Sequence, residues 1–356
     1  MRRADADIGT TTQPGPERTG SRSTRHQTQH GSRSGRRSGR RPRRVLKVAG
    51  TVIAAAAIAA GVLVYNHHSS QPKPLPVHLP TAAGGYLGVY AQGSPLTYDG
   101  VTAFRKASGT SPDLVMYYSG WYESFQTAFV KKAAADGEVP LVQMDPSGIN
   151  VASIAAGKYD GYLSAYAEAV RAYHGPIVLG FGHEMNGSWS SWGYTHTSPQ
   201  TFVAAWRHIV SLFRALGATN VTWMWTVNII NNTQQGRIPS PTAWWPGSSY
   251  VNWVGIDGYY LKPNWQFAPL FGPTIAQVRE LTSAPILIGE TGVEPQAGQA
   301  AKVADMFAGV HAYGLLGLVY FDSTDKQKQQ PFGLQDAAAF SAFGKAASSD
   351  YHRPGS

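Results

Sequence analysis

The feature that most constrains this chain is an alternation. Eight short apolar runs, at 85–91, 114–119, 139–144, 177–182, 221–227, 253–258, 285–289 and 317–321, are separated by segments of helical patterning. The helical stretches include 123–136, 159–173, 199–216, 296–313 and 337–347. Strands joined through helices run parallel, because each crossover brings the chain back to start the next strand at the same end. Eight such units predict an α/β fold, a (β/α)8 TIM barrel, over residues 84–350; barrels of this kind take about 250 residues. The capping signals agree: Ser198-Pro199 opens one helix and Gly217 closes it. The fifth connection, 229–250, carries no helical pattern and reads as a long loop.

The residues before the barrel follow other rules. Residues 1–44 are rich in Arg, Ser, Gly, Thr and Gln and nearly lack large apolar groups. Such a segment buries too little surface to offset its ordering entropy, so the expectation is a disordered basic tail on the cytoplasmic side. Residues 48–65, "VAGTVIAAAAIAAGVLVY", hold no charge. At about 1.5 Å per helical residue they roughly span a bilayer's hydrocarbon core. Arg40, Arg41, Arg43, Arg44 and Lys47 precede this run, which sets the N-terminus inside and the barrel outside. The reading is therefore one transmembrane helix, a signal anchor at 45–66, with a cleaved signal peptide and a secreted barrel as the alternative. Residues 67–83 hold Pro72, Pro74, Pro76 and Pro80 and read as a stiff linker.

Charge and cysteine content narrow the function. The formal net charge is +9, yet residues 1–47 carry 13 Lys and Arg against 3 Asp and Glu. The remainder carries 17 against 18, so the barrel is close to neutral and its basic tail says nothing about its ligand. Because that tail has no interleaved aromatics, a nucleic-acid partner is not expected. The chain has no cysteine, which excludes disulfides, thiolate metal sites and a cysteine nucleophile. No metal cluster or cofactor motif is visible, and the expected state is a monomer.

In a barrel, chemistry collects at the C-terminal ends of the strands. Strand four ends in Gly182-His183-Glu184 and strand seven in Glu290. Strand three ends in Gln143 and Asp145, strand five in Asn228, strand six in Asp257 and Tyr259, and strand eight in Tyr320-Phe321-Asp322. A glutamate closing an apolar strand is costly unless it faces the barrel mouth. Two such carboxylates suit glycoside hydrolysis, in which one protonates the leaving oxygen and the other attacks the anomeric carbon or activates a water. Trp121, Tyr122, Trp189, Trp192, Trp244, Trp245 and Trp265 lie in expected loops, where rings can stack on sugar faces. Gly180 and Gly182 are read as keeping the interior small beneath Glu184. Trp223 and Trp225 alternate along strand five and read as packed against outer helices. His183-Glu184 does not begin a zinc-protease helix, because H-E-x-x-H needs His where Gly187 stands. Asp257 reads equally as a structural salt-bridge partner or a site residue.

These residues carry a resemblance. "GHEMNGSWSSWG" resembles the acid/base segment of glycoside hydrolase family 26, whose best-known members are β-mannanases. "VNWVGIDGYY" resembles that family's sixth strand, "ILIGETG" its nucleophile segment, and "YDGYLSAYAEAVRAY" the helix before strand four. The likeness implies a (β/α)8 barrel with retaining chemistry. It also implies Glu184 as acid/base, Glu290 as nucleophile, His183 orienting the acid/base and touching substrate, Trp189 lining subsites and Tyr259 bonded to the nucleophile. Two positions depart from the pattern. Tyr320 and Phe321 stand where a Trp commonly floors the site, and the Arg often found shortly before the His-Glu pair is absent, since Leu179-Gly180-Phe181-Gly182 stands there. The substrate-binding set expected here is His183, Trp189, Trp192, Asn228, Tyr259, Trp121, Asp257 and Tyr320. The function expected is a retaining endo-β-glycosidase on an extracellular polysaccharide, β-1,4-mannan first. Mixed-linkage β-glucan, β-1,3-xylan and a non-catalytic polysaccharide-binding or cell-envelope module are the alternatives.

Overall fold

A computed structural model of the protein describes residues 79–230, 238–325 and 330–350. The basic tail, the signal anchor and most of the expected linker lie outside the described residues. Among the described residues, no helix is long and apolar enough to cross a membrane.

Eight parallel strands close into a barrel in sequence order, with β8 pairing back to β1. They are β1 (Tyr86–Ala91), β2 (Leu114–Gly120), β3 (Val139–Asp145), β4 (Ile177–Phe181), β5 (Val221–Asn228), β6 (Trp253–Asp257), β7 (Ile286–Thr291) and β8 (Gly317–Asp322). Each coincides with an apolar run of the sequence to within about two residues. Around them lie α1 (Asp99–Ser108), α2 (Thr127–Ala135), α3 (Val151–Ala155), α4 (Asp160–Tyr173), α5 (Pro199–Ala215), α6 (Phe267–Leu281), α7 (Gln299–Ala312) and α8 (Ala337–Asp350). The described part of the β5–β6 connection holds a 3-10 turn, Pro241–Trp244, and no α-helix. Ser198 caps α5 by accepting from the Thr201 amide at 3.1 Å. The sequence patterning does not single out α1 and α6. Pro273 lies inside α6, and its near neighbours Pro269 and Gly272 are also poor helix formers; burial of Phe267, Phe271, Ile275 and Val278 outweighs them.

The period-2 alternation of strand side chains divides the core in two. One set fills the barrel interior: Tyr86, Leu114, Met116, Leu141, Val178, Met224, Trp253, Leu287 and Val319. Leu79, within the segment read as linker, belongs to the same cluster. The Tyr86 hydroxyl donates to the Pro80 carbonyl at 2.8 Å, tying that segment to the start of β1. The other set faces the helices. Trp223 packs edge-on against Phe213 and Trp206 of α5, and Trp225 against Trp245, as the alternation in β5 predicts. Burying each such side chain contributes about 1.5–3 kcal/mol, so this shell is a large share of what holds the barrel closed.

Candidate active site

Two local irregularities aim the carboxylates. The first is at the end of β4. Gly182 and Glu184 both adopt left-handed backbone, with φ of 55° each. A non-glycine residue there costs on the order of 1–3 kcal/mol and persists only where its surroundings impose it. Here the Gly182 amide donates to the Met144 carbonyl at 2.8 Å and the Glu184 amide to the Thr226 carbonyl at 3.0 Å. The chain is thus turned over the barrel rim between β3 and β5, and His183 and Glu184 face the mouth. The two glycines divide their work differently from the sequence reading. A Cβ on Gly180 would lie 2.0 Å from the Gln143 Oε1 inside the barrel, as expected. A Cβ on Gly182 would meet Phe202 and Trp192, on the helix side.

The second irregularity is a bulge in β7. Ile256 pairs with Ile288, but Asp257 pairs with Glu290, so Gly289 is one residue in excess. On the β8 side the register likewise slips between Ile288 and Thr291. Leu287 points inward, so strict alternation would send Glu290 outward to the helices. The extra residue turns it back to the mouth, a common use of bulges beside active sites. Gly289 is required there, because a Cβ would lie 2.7 Å from an Asp257 carboxyl oxygen.

The surroundings of the two glutamates differ. Glu184 accepts from the Asn228 amide nitrogen at 2.5 Å and from the Trp189 indole at 2.8 Å. Asn228 is itself held through its backbone, which donates to Asn186 Oδ1 at 2.9 Å and accepts from Asn186 Nδ2 at 2.8 Å. Glu290 accepts two phenols, Tyr259 at 2.7 Å on Oε2 and Tyr118 at 2.5 Å on Oε1. Burial raises Glu184 to about 7; the His183 cation opposes this, and the charge of Glu290 adds to it. Burial alone would depress His183, but the Asp145 carboxylate 2.8 Å from its Nδ1, helped by Glu290 and Glu184, lifts it to about 10. His183 is therefore an imidazolium at neutral pH, and its ring lies 5.4 Å from that of Tyr118, the donor to Glu290, so the histidine and both glutamates share one mouth.

Asp257 lies beneath this pair, fully buried. Neither of its oxygens meets a donor in good hydrogen-bonding geometry, the Glu290 backbone amide being a weaker favourable contact. Burial, then the charges of Glu290 and Glu184, raise it well above the usual carboxylate range. It is a floor residue, neither a salt-bridge partner nor a group on the open face.

Three expected substrate residues fall elsewhere. Tyr320 points outward, packs on Phe104 and Phe343, and donates to the Phe332 carbonyl at 2.9 Å. The alternation of β8 explains this, since Val319 and Phe321 take the inward positions. Phe321 stacks on Tyr90 at 4.5 Å and faces Tyr259, flooring the site where Tyr320 was expected. Trp121 is 9% exposed and packs among Tyr159, Tyr162 and Phe181, in the outer shell. Trp192 is buried beneath His183, donates its indole to the His183 carbonyl at 2.8 Å, and so supports the site without facing substrate. Of the loop aromatics, Trp244 is buried and Trp245 and Trp265 pack against the core, whereas Trp189 and Tyr122 are exposed at 40% and 63%.

Two residues join the site without a role in the sequence reading. Asp145 holds the His183 ring, and Tyr118 holds Glu290. Both follow the alternation: inward Leu114 and Met116 on β2 predict inward Tyr118, and inward Leu141 and Gln143 on β3 predict inward Asp145.

A closed parallel barrel with paired glutamates and a charged histidine at its mouth defines a class of protein built to act on a ligand lying across the strand ends. Comparison with known proteins narrows that class. Residues 149–284 match the model of Glycosyl hydrolase family 26. Endoglucanase H of Acetivibrio thermocellus is 33% identical over 171 residues, 46% of this chain and 18% of that protein. Beta-1,3-xylanase TXYA of a Vibrio species is 27% identical over 220 residues, 58% of this chain and 44% of that protein. The chain thus spans less than half the length of these curated relatives. Among solved structures, a GH26 β-mannanase from Bacteroides ovatus superposes with a TM-score of 0.59 at 15% identity, covering 77% of this chain and 91% of that one. A modular endo-β-1,4-mannanase from Cellulomonas fimi gives 0.57 at 18%, covering 76% and 72%. These structural likenesses support the barrel fold. Over residues 149–284, which include Glu184, the chain is thus similar to glycosyl hydrolase family 26.

Proposed function

We propose that this chain is a retaining endo-β-glycosidase acting on a β-linked polysaccharide, with Glu184 as acid/base and Glu290 as nucleophile. The observation that carries the reading is the contrast between the two carboxylates of one mouth. Glu184 is raised to about 7 and so keeps its proton to a higher pH than an ordinary carboxyl group. Glu290 is fixed by two phenol donors. In the first step an oxygen of Glu290 attacks the anomeric carbon while Glu184 gives its proton to the departing glycosidic oxygen. In the second, Glu184, now a carboxylate, takes a proton from water, whose oxygen displaces Glu290 from the sugar. Net β configuration is retained. The His183 imidazolium, pinned by Asp145, supplies a donor and a positive charge beside both carboxylates. Trp189, exposed on one face and bonded to Glu184, offers a ring to a sugar while fixing the acid.

β-1,4-Mannan is the first substrate proposed. The relatives, an endoglucanase, β-1,3-xylanases and mannan endo-1,4-β-mannosidases, support testing β-glucan and β-1,3-xylan beside it. The test is the purified full chain incubated with mannan, mixed-linkage glucan, β-1,3-xylan and curdlan. Release of oligosaccharides from one of them, lost in both Glu184→Ala and Glu290→Ala, is expected. Binding of a glycan with no cleavage would replace this reading with the non-catalytic module. We further propose that residues 45–66 anchor the chain with residues 84–350 outside the cell. Mature protein in culture supernatant, with its N-terminus beyond residue 65, would show cleavage instead.

A further inference from the structure

We propose that Tyr118 is a positioning residue for Glu290, setting which face of that carboxylate meets the sugar; this rests on the glycosidase reading above. Tyr259 and Tyr118 approach Glu290 from different directions. Asp257 of β6 pairs with Glu290 across neighbouring strands, and Tyr259 follows two residues later, so Tyr259 reaches its oxygen from beside β7. Tyr118 comes from β2, which is separated from β7 by β1 and β8, and reaches Oε1 across the mouth. One phenol on each oxygen fixes the rotation of the carboxyl group about its last side-chain bond. A single phenol would leave it free to turn. The Tyr118 ring is itself held by Tyr90 at 5.3 Å, Phe321 at 6.5 Å and His183 at 5.4 Å. Its hydroxyl makes no other hydrogen bond among the described residues.

This arrangement has a chemical consequence. When one Glu290 oxygen forms its bond to the anomeric carbon, the negative charge leaves the carboxylate and the new ester oxygen becomes a poor acceptor. The phenol on that oxygen loses its partner, while the phenol on the carbonyl oxygen keeps one. Tyr118 therefore contributes mainly to forming and breaking the glycosyl-enzyme, not to holding the polysaccharide. The groups facing Glu290 are Tyr118 from β2, Tyr259 and Asp257 from β6 and its end, and His183 and Glu184 from the end of β4.

The test is Tyr118→Phe in the full chain, which removes the hydroxyl and keeps the ring in its aromatic setting. The readouts are kcat and KM on the glycan the wild type cleaves, and the rate of inactivation by a 2-deoxy-2-fluoro β-glycoside of the same sugar. That inactivator reports formation of the glycosyl-enzyme alone. Because a misplaced reacting group costs up to about 100-fold, the loss of a fixed carboxyl orientation should lower kcat and the inactivation rate by about 10–100-fold. KM should stay within about threefold and the unfolding midpoint within a few degrees. Tyr259→Phe should behave alike, and the double variant should lose less than the product of the two, because both act on one carboxylate. An unchanged inactivation rate in Tyr118→Phe overturns the proposal, as does a loss confined to KM or a fall in activity matched by a large fall in the midpoint. If the wild type cleaves no β-glycan and is not labelled, the glycosidase reading itself falls, and Tyr118 with it.

Discussion

Glu184 and Glu290 are the same side chain at the ends of two apolar strands of one barrel, yet the walls that hold them are built differently. The β4–β5 wall offers Glu184 an amide and an indole, on a kinked backbone beside a cationic histidine. The β6–β7 wall, completed by β2, offers Glu290 two phenols over an aromatic floor of Phe321 and Phe332. On the β4–β5 wall burial raises the pKa of Glu184 to about 7. On the proposed mechanism, the difference teaches that an acid and a nucleophile need not differ in residue type when their neighbours differ in kind.

The largest expected effect breaks the symmetry directly. Replacing Glu184 by Ala should reduce turnover of the polysaccharide by about 10²–10⁴-fold, the usual worth of a general acid, and Glu290→Ala by at least as much. The two variants should part on an aryl glycoside with a good leaving group, which needs little protonation. Glu184→Ala should still form the glycosyl-enzyme and then stall, and added azide should release a β-glycosyl azide. Glu290→Ala cannot form that intermediate, so azide should give the α product. The opposite pairing of products would exchange the two roles.

A smaller effect sharpens the β4–β5 wall. In the proposed mechanism Glu184 must be protonated for the first step, so kcat/KM should fall as pH rises through about 7. The Asn228 amide favours the charged form, because it donates to Glu184. Asn228→Ala should then move the alkaline limb to higher pH and lower kcat by about tenfold, since a donor to a developing carboxylate is lost. The backbone of residue 228 stays bonded to Asn186, which limits damage to the fold. An alkaline limb that stays in place would mean that the limb reports another group.

Much of this contrast is legible in the sequence, and its limits have physical causes. Long-range order is written in local terms. Eight apolar runs alternating with helices admit little besides a parallel barrel, and glutamates closing two of them mark the mouth. What single-residue reading misses is facing. Tyr320 and Phe321 are equally aromatic and adjacent, and only counting along β8 from the inward Val319 puts Phe321 in the site. Glu290 errs the other way: counting along β7 sends it outward, and only the bulge at Gly289 restores it. A bulge depends on pairing with neighbouring strands, so no local pattern announces it. Trp121 and Trp192 show a third limit. A loop tryptophan is as able to pack beneath a site as to line it, and composition does not tell the two apart.

The smallest effect concerns stability, and it tests the Glu184 surroundings without any substrate. A carboxyl group whose pKa is raised on folding binds its proton more tightly in the native state. Stability then falls as pH rises, from about 4.5, the ordinary value, to about 7, where Glu184 ionises in the folded protein. His183 acts in a later window. Its folded value of about 10 stands above an ordinary 6.5, so its contribution is whole below 6.5 and drains away towards 10. Glu184→Gln removes the first decline and leaves most of the second, slightly reduced because one anion beside the imidazolium is gone. At pH 5 the variant and the wild type should unfold at similar temperatures. At pH 8 the variant should be the more stable by roughly 1–3 kcal/mol, at about 1.4 kcal/mol for each pH unit between the two values. For a barrel of this size that is a shift of several degrees in the midpoint. Parallel curves for the two proteins between pH 5 and 8 would mean that burial does not raise Glu184, and the assignment of the acid would then rest on the azide products alone.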